Sequence, residues 1–525
     1  VFRASRIRPL ARCFIEALCL ALAGSAASGA GVTIITHGFN GNVTDWIIPL
    51  SEKMPLHPGF RGTNFSCFQI TVTRNGQGQL VTSRTFLGGA APLTADAGEI
   101  LVKLDWSAVA GAFEASSTEV AAAVVPALLN PGFIPELGGR PLAELPLHLV
   151  GHSRGASVIS EMTRLLGAQG VWVDQVTTLD PRPVPAFGDA DVRTYANVLF
   201  ADNYWQNLGD GLFVPNGMAI SGAYNRRLTS LNGGYSSSHS DVHLWYHGTA
   251  DLATPTTDTQ ANLTSSERAT WWTTAEQQGS AAGYLYSRNG GGDRLSNLEP
   301  AGAGNGRISD GFNKRWELGG GLTNNRAALP ANNSTWPNLL RFFLTETNPV
   351  PAGGTVALQV YHQNGPAPAQ GAEVAVFLDT DFNPFNGSAA QLFQTSVLGT
   401  GSNNVGSVSA FPVVPAAATL PGTYAVFAKI FDGVRTRYLY APQRLVVTPS
   451  RLMPVLLVDS LAIEGGQLSF TLAGFTGQRV VIEASTNLVD WQPISTNVFP
   501  GPNLVFEDAA SPAFTRRFYR FFLTE

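Results

Sequence analysis

The chain is poor in cysteine, with three in 525 residues, and poor in charge, with 14% Asp, Glu, Lys and Arg. Average soluble domains carry roughly 25% charged residues. Two of the cysteines, Cys13 and Cys19, lie in a leader-like N-terminus. Only Cys67 remains beyond it, so no intramolecular disulfide framework is available to the rest of the chain. Cys67 falls in an apolar run and reads as a small core residue. Basic and acidic residues nearly balance, 33 against 38, and no basic block occurs. Nucleic acid and anionic membrane surfaces are therefore excluded as expected partners. No apolar run reaches the ~20 residues of a transmembrane helix. No fixed-period repeat is present.

What is abundant is turn-forming residue, with 55 Gly and 33 Pro, beside a 44% hydrophobic content. This composition suits a globular chain with many short strands, and the length predicts two to four domains. Residues 1–30 begin with Arg3, Arg6, Arg8 and Arg12, continue through an apolar run, and end in small residues (GSAASGA). That is the layout of a secretory signal, so export is expected. The residues before Cys19 do not form a lipoprotein box, and no lipid anchor is expected.

From about residue 31 to 250, strand-like and helix-like runs alternate. Val32–Thr36, Ser66–Thr73, Glu99–Trp106, Leu147–Val150, Val176–Leu179 and Val192–Ala201 read as strands. Glu119–Leu129 reads as a helix interrupted or ended at Pro126, and Val158, Ile159, Met162, Leu165 and Leu166 recur at helical spacing. Alternation of this kind predicts an α/β class, with a parallel sheet covered by helices. Residues 251–345, polar and glycine-rich, read as a wrapping end to this first domain of 31–345. Beyond it the apolar period becomes two (VALQVY, EVAVFL, YAVFAKI), which predicts an Ig-like β-sandwich over 346–450 and a smaller one over 451–525.

Gly151-His152-Ser153-Arg154-Gly155 fits G-x-S-x-G and lies between an apolar strand and an amphipathic helix. A nucleophile there sits on a strained turn that tolerates little beyond glycine two residues to either side. A serine hydroxyl needs a base, itself oriented by an acid. His239 follows a polar loop and is the favoured base, with His243 as the alternative. His239, His243 and His247 recur at i, i+4 and i+8, a spacing that also suggests a metal cluster, but no metal is assigned. Asp180 closes the strand VTTL and is the favoured acid. Asp202, at the end of VLFAD, is the alternative. Backbone donors for an oxyanion are expected at Phe39 and Arg154, with His37 and His152 as scaffold residues.

These segments resemble the α/β-hydrolase lipases, most closely the pancreatic-lipase type. The matching pieces are ITHGF with Trp46 downstream, LDWS (Leu104–Ser107), GHSRG, LDPRP (Leu179–Pro183) and His239 followed by Trp245-Tyr246, in family order from Ile35 to Tyr246. The resemblance implies an α/β-hydrolase fold and a serine ester hydrolase with Ser153 as nucleophile, Asp180 as acid, His239 as base, and Phe39 and Arg154 as oxyanion donors, needing no cofactor. It implies an ester or lipid substrate. The family's lid is closed by a cysteine pair that this chain lacks, and Gln206–Ser238 is where a lid would fall. The C-terminal modules are expected to engage an insoluble polymer or a cell surface. This admits two alternatives, a polyester depolymerase and a polymer-binding adhesion protein with an inactive hydrolase domain. Asp379, Asp381, Asn383 and Asn386 resemble a calcium loop whose glycine falls late, so a hairpin turn is the preferred reading.

Overall fold

The computed structural model describes residues 30–59, 65–93, 98–209, 215–278, 282–290, 326–329, 336–346, 349–365, 371–401 and 405–524. The signal-like segment, save for Ala30, and most of the glycine-rich connection after residue 290 lie outside them.

Eight strands form the first sheet: β1 (Gly31–Thr36), β2 (Phe65–Arg74), β3 (Leu80–Gly89), β4 (Glu99–Asp105), β5 (Leu147–His152), β6 (Val173–Leu179), β7 (Val198–Trp205) and β8 (Tyr224–Arg227). Their order is β3-β2-β4-β1-β5-β6-β7-β8, and every neighbouring pair is parallel except β2–β3. Six helices accompany the sheet among the described residues: α1 (Ile47–Lys53), α2 (Ser117–Leu129), α3 (Arg154–Ala168), α4 (Ser238–Ala250), α5 (Ser265–Trp271) and α6 (Thr274–Gln277). The run VTIIT in β1 is buried throughout because both faces of the sheet are covered. Alternate side chains go to opposite faces. Ile34 joins Val120, Val124, Ile159 and Met162 of α2 and α3, whereas Ile35 joins Trp46, Leu50, Val242 and Trp245 around α1 and α4.

The expected α/β class, an α/β-hydrolase domain followed by Ig-like modules, is overturned. The structure is mostly β, 38% strand against 19% helix, with a mixed eight-stranded sheet first and antiparallel all-β sheets after it. Two strands of the first sheet, β3 and β8, come from stretches without a sustained apolar run to announce them. Among the described residues from Asn338 onward the regular structure is strand, apart from one 3₁₀ turn at Ser511–Ala513. In the first part of this region, a sheet containing Ala372–Asp379 and Gly422–Phe431 faces a three-stranded sheet of Gly406–Ala410, Leu358–Gln363 and Asn338–Leu344. Asn338–Leu344, placed before the expected boundary at 345, thus pairs with Leu358–Gln363 beyond it. Two further three-stranded sheets, over Val455–Thr524, enclose a core of Phe470, Leu472, Val480, Ile482 and Phe499.

Helix α2 does not stop at Pro126. It starts in a capping box of Ser116 and Glu119 and continues to Leu129. Val120, Val124, Val125 and Leu128 are buried against the sheet and α3. That packing outweighs the one intrahelical bond a proline removes.

The first all-β part is fastened to the core of the eight-stranded sheet. Trp336, Phe382, Phe427, Tyr438 and Tyr440 belong to the same buried cluster as Val102 and Leu104. Arg437, buried, donates to the Trp172 carbonyl (3.0 Å) and to Asn338 Oδ1 (3.2 Å). Glu144 is buried at this junction, with Arg140 4.0 Å away, and its Oε2 has no hydrogen-bond partner among the described residues. Burial outweighs the nearby Arg140, Lys429 and Arg437 and pushes its pKa up to about 7. The folded state therefore holds this proton more tightly than the unfolded chain, and stability from this group falls as pH rises from about 4.5 to about 7. Glu144→Gln is expected to raise stability by ~2 kcal/mol at pH 8 and to change it little at pH 4. Thermal or urea unfolding at both pH values checks this. A variant less stable than wild type at pH 8 contradicts it.

Candidate functional site: a serine, a histidine and a buried aspartate

Strand β5 runs directly into α3, and Ser153 is the single residue between them, at φ 58° and ψ −123°. A non-glycine residue in this region stores ~1–3 kcal/mol of strain. The neighbouring glycines have no alternative. A Cβ on Gly151 would lie 2.4 Å from the Gly155 carbonyl oxygen, and one on Gly155 would lie 2.4 Å from that of His37. The Ser153 N–H donates to the Leu179 carbonyl (3.0 Å), which ties the turn to the end of β6.

Asp180 follows β6, has no solvent exposure and adopts φ 45°. His239 lies in the first turn of α4 rather than in the loop before it, and its N–H donates to the Ser237 cap (3.3 Å). Its Nδ1 donates to Asp180 Oδ2 at 2.6 Å. That bond places the ring proton on Nδ1 and leaves Nε2 with the lone pair a base requires. Asp180 also accepts from Gln206, at Oδ1 from the N–H and at Oδ2 from Nε2, both at 2.8 Å. Gln206 in turn accepts from Ser238 Oγ (3.2 Å) at the start of α4. Nothing local in the sequence marks a glutamine after a strand as a carboxylate's partner, so only the fold reveals Gln206. Among the described residues Ser153 Oγ makes no hydrogen bond to the ring, a contact that tightens in such sites when substrate binds.

The loop after β1 supplies the facing wall. Gly38 approaches so closely that a Cβ there would stand 2.6 Å from Ser153 Cβ. His37 anchors this loop. Its ring stacks on Trp106 (5.3 Å between centroids, 8° between planes), and its Nε2 accepts the Trp106 N–H at 3.2 Å. Asp105 lies 3.5 Å from the same Nε2. Among the described residues, neither the Phe39 N–H nor the Arg154 N–H donates to another backbone group.

The Arg154 side chain has a role the sequence did not show. It is fully buried, pairs with Asp189 through Nε (2.6 Å) and Nη2 (2.7 Å), and donates to the carbonyls of Ala110 and Ala115. Its guanidinium lies 5.2 Å from both the Trp106 and Phe187 rings. The clamp holds two loops that present an aromatic ledge beside the serine. Phe39, 44% exposed, stacks on Phe187, and Phe113, 77% exposed at φ 60°, meets Phe187 edge-on.

The alternative residues lie elsewhere. β7 extends to Trp205, so Asp202 falls inside the sheet rather than at its end, in register with Thr177. Its Oδ1 accepts from Thr177 Oγ1 (2.6 Å) and Gln175 Nε2 (3.1 Å). His243 is buried, stacks on Trp46 (4.7 Å) and has its Nδ1 3.2 Å from Asp258 Oδ2. His247 binds the other oxygen of Asp258 (2.5 Å). The three histidines of α4 thus serve two different carboxylates, and no group of three metal-ligating side chains is assembled among the described residues. Burial lowers the His243 pKa. In the stretch expected to hold a lid, Tyr224–Arg227 is the eighth sheet strand, and Gly217 packs on Asp180 so closely that a Cβ would lie 2.1 Å from Oδ1. Residues 210–214 lie outside the described residues. Arg226, Trp271 and Trp272 brace α4: Arg226 pairs with Glu276 and lies over Trp245, and Trp272 stacks on Trp245. The loop Asp379–Ser388 is a turn held by its own side chains. Asp379 accepts from Ser388 Oγ (2.7 Å) and Tyr440 OH, and Asp381 accepts from Asn386 Nδ2 (2.7 Å).

No protein-family model and no curated protein matches the chain. Among solved structures it is similar to the human OSCAR ligand-binding domain, at 16% identity over 35% of this chain and 93% of that one, with a TM-score of 0.15. It is also similar to red sea bream transglutaminase, at 12% identity over 36% of this chain and 29% of that one, with a TM-score of 0.14. Likenesses this slight carry no argument about the site. No helix among the described residues is long and apolar enough to cross a membrane.

Proposed function

We propose that the protein is an exported serine ester hydrolase of the lipase or esterase type. The observation that carries this reading is the 2.6 Å bond from His239 Nδ1 to the buried Asp180, beside a serine on a strained strand-to-helix turn. Ser153 Oγ attacks the ester carbonyl as His239 Nε2 takes its proton. Negative charge on the carbonyl oxygen is met by the Phe39 and Arg154 N–H groups and by the N-terminus of α3. His239 returns the proton to the leaving alkoxide, which departs as the alcohol. Water, deprotonated by the same base, then resolves the acyl-enzyme. Asp180 stays ionised throughout and holds the imidazolium in place. The buried Asp258 pair of His243 leaves that residue no part in these steps.

The ledge of Phe39, Phe187 and Phe113 supports an ester with an apolar acyl or alcohol group. Exposing a phenylalanine at positive φ has a conformational cost that packing does not offset. Turnover of p-nitrophenyl esters of graded chain length tests the reading. Phe113→Ala is expected to raise KM for the longer esters roughly 10-fold and to leave the acetate nearly unchanged. A folded protein that turns over none of the esters overturns the assignment.

A further inference from the structure

His152 precedes the nucleophile, and the reaction above does not use its side chain. It is the last residue of β5, in register with Leu179 on β6, so its backbone is fixed by the sheet. Its ring is enclosed on several sides. The His239 ring lies 4.6 Å away at a 43° tilt, the His243 ring meets it edge-on at 4.8 Å, and the Trp46 ring edge-on at 6.0 Å. One polar contact stands out: His152 Nε2 lies 2.9 Å from the backbone carbonyl oxygen of His239. A carbonyl carries no proton, so Nε2 is the donor. That carbonyl sits in the first turn of α4 and has two lone pairs, so it accepts this bond beside its intrahelical one.

We propose that His152 is a positioning residue whose Nε2–H holds the His239 carbonyl and so sets the direction in which the His239 ring faces Ser153. The proposal rests on the Ser153–His239–Asp180 reading. The Asp180 bond fixes the ring at Nδ1 alone, and a ring held at one atom still pivots when its backbone shifts. The bond from His152 fixes the backbone of the same residue, from the strand that also carries the nucleophile. Nucleophile and base are thereby tied to one rigid element. A misplacement of ~1 Å between reacting groups costs roughly 100-fold in rate.

Two further observations agree. Burial, with His239, His243 and His37 close by, pushes the His152 pKa well below its ordinary value, so the ring stays neutral. A neutral ring has a single N–H, and the carbonyl holds it on Nε2. A second positive charge beside the imidazolium formed during catalysis is avoided as well. The support behind the ring is also pinned. His243 Nδ1 lies 3.2 Å from Asp258, which binds His247 (2.5 Å) and accepts from Tyr235 OH (3.1 Å). Supporting groups fixed in this way are what keep a catalytic constellation in register.

Two substitutions separate positioning from simple packing. His152→Phe keeps a ring of similar size and removes the donor. His152→Gln keeps a donor of similar reach and removes the ring. With p-nitrophenyl butyrate, the Phe variant is expected to lose roughly 10- to 100-fold in kcat with KM within about twofold, and the Gln variant to stay within about fivefold of wild type. The reverse order, Phe active and Gln impaired, means packing and overturns the proposal, as does full activity in both. Wild-type turnover and its labelling by a fluorophosphonate are measured alongside, because their absence would sink the catalytic reading rather than this one. Where the Phe variant does not fold, ¹⁵N-histidine labelling of the wild-type protein decides. A proton on His152 Nε2 and none on Nδ1 supports the bond, and the opposite tautomer overturns it.

Discussion

Ser153→Ala is expected to abolish ester hydrolysis, lowering kcat by about 10⁴- to 10⁶-fold, the loss that removing the nucleophile of a serine triad brings. The fold should survive. Ser153 Oγ makes no hydrogen bond to the His239 ring among the described residues, and the backbone N–H that ties the turn to Leu179 is untouched by the change. Alanine is as poorly suited as serine to φ 58°, so the strain stays and unfolding should shift by less than about 1 kcal/mol. Turnover and thermal unfolding of the same preparation check both halves. Appreciable activity in the variant would mean that another group carries the chemistry. Lost activity together with a lost fold would mean only that the turn had collapsed.

Asp180→Asn should be nearly as damaging, with kcat falling by roughly 10³- to 10⁴-fold while the shape of the site is kept. The carboxylate accepts at both oxygens, from Gln206 and from His239 Nδ1. An amide accepts on one side only. If its NH₂ faces the ring, His239 must accept there, and its proton moves to Nε2. The ring can then no longer take the proton of Ser153. Asp202→Asn is the control. Its Oδ1 accepts from Thr177 and Gln175 within the sheet, so the same change there should alter kcat no more than a few-fold. If Asp202→Asn proves the more harmful, the acid has been misassigned.

The parts of this site that were legible in the sequence are those with steric requirements local to a motif. Gly151 and Gly155 announce a turn because the neighbouring carbonyls leave no room for Cβ. Asp180 was legible as the residue that ends an apolar strand before a proline. Asp202 looks like a strand end in the sequence because the apolar run stops at Ala201. Val192–Ala201 is apolar enough to read as a strand, whereas β7 runs on through the polar Asp202 and Asn203 to Trp205, their side chains bonded to Thr177 and Thr178. Gln206, Asp189 and Asp258 were illegible because each acts on a residue brought to it only by the fold. Asp189 meets Arg154 from 35 residues away. The overall class was misjudged for a related reason. Strands such as Leu80–Gly89 and Ala390–Val397 mix polar with apolar residues and are part-exposed, so their pairing partners stabilise them more than their own apolar content does.

The most direct test of the central claim is to treat the purified protein with a fluorophosphonate and map the adduct by peptide mass spectrometry. The account predicts one adduct, on Ser153, formed at a rate that falls sharply in Asp180→Asn. A folded protein that takes no adduct, or takes it on another serine, would contradict the account.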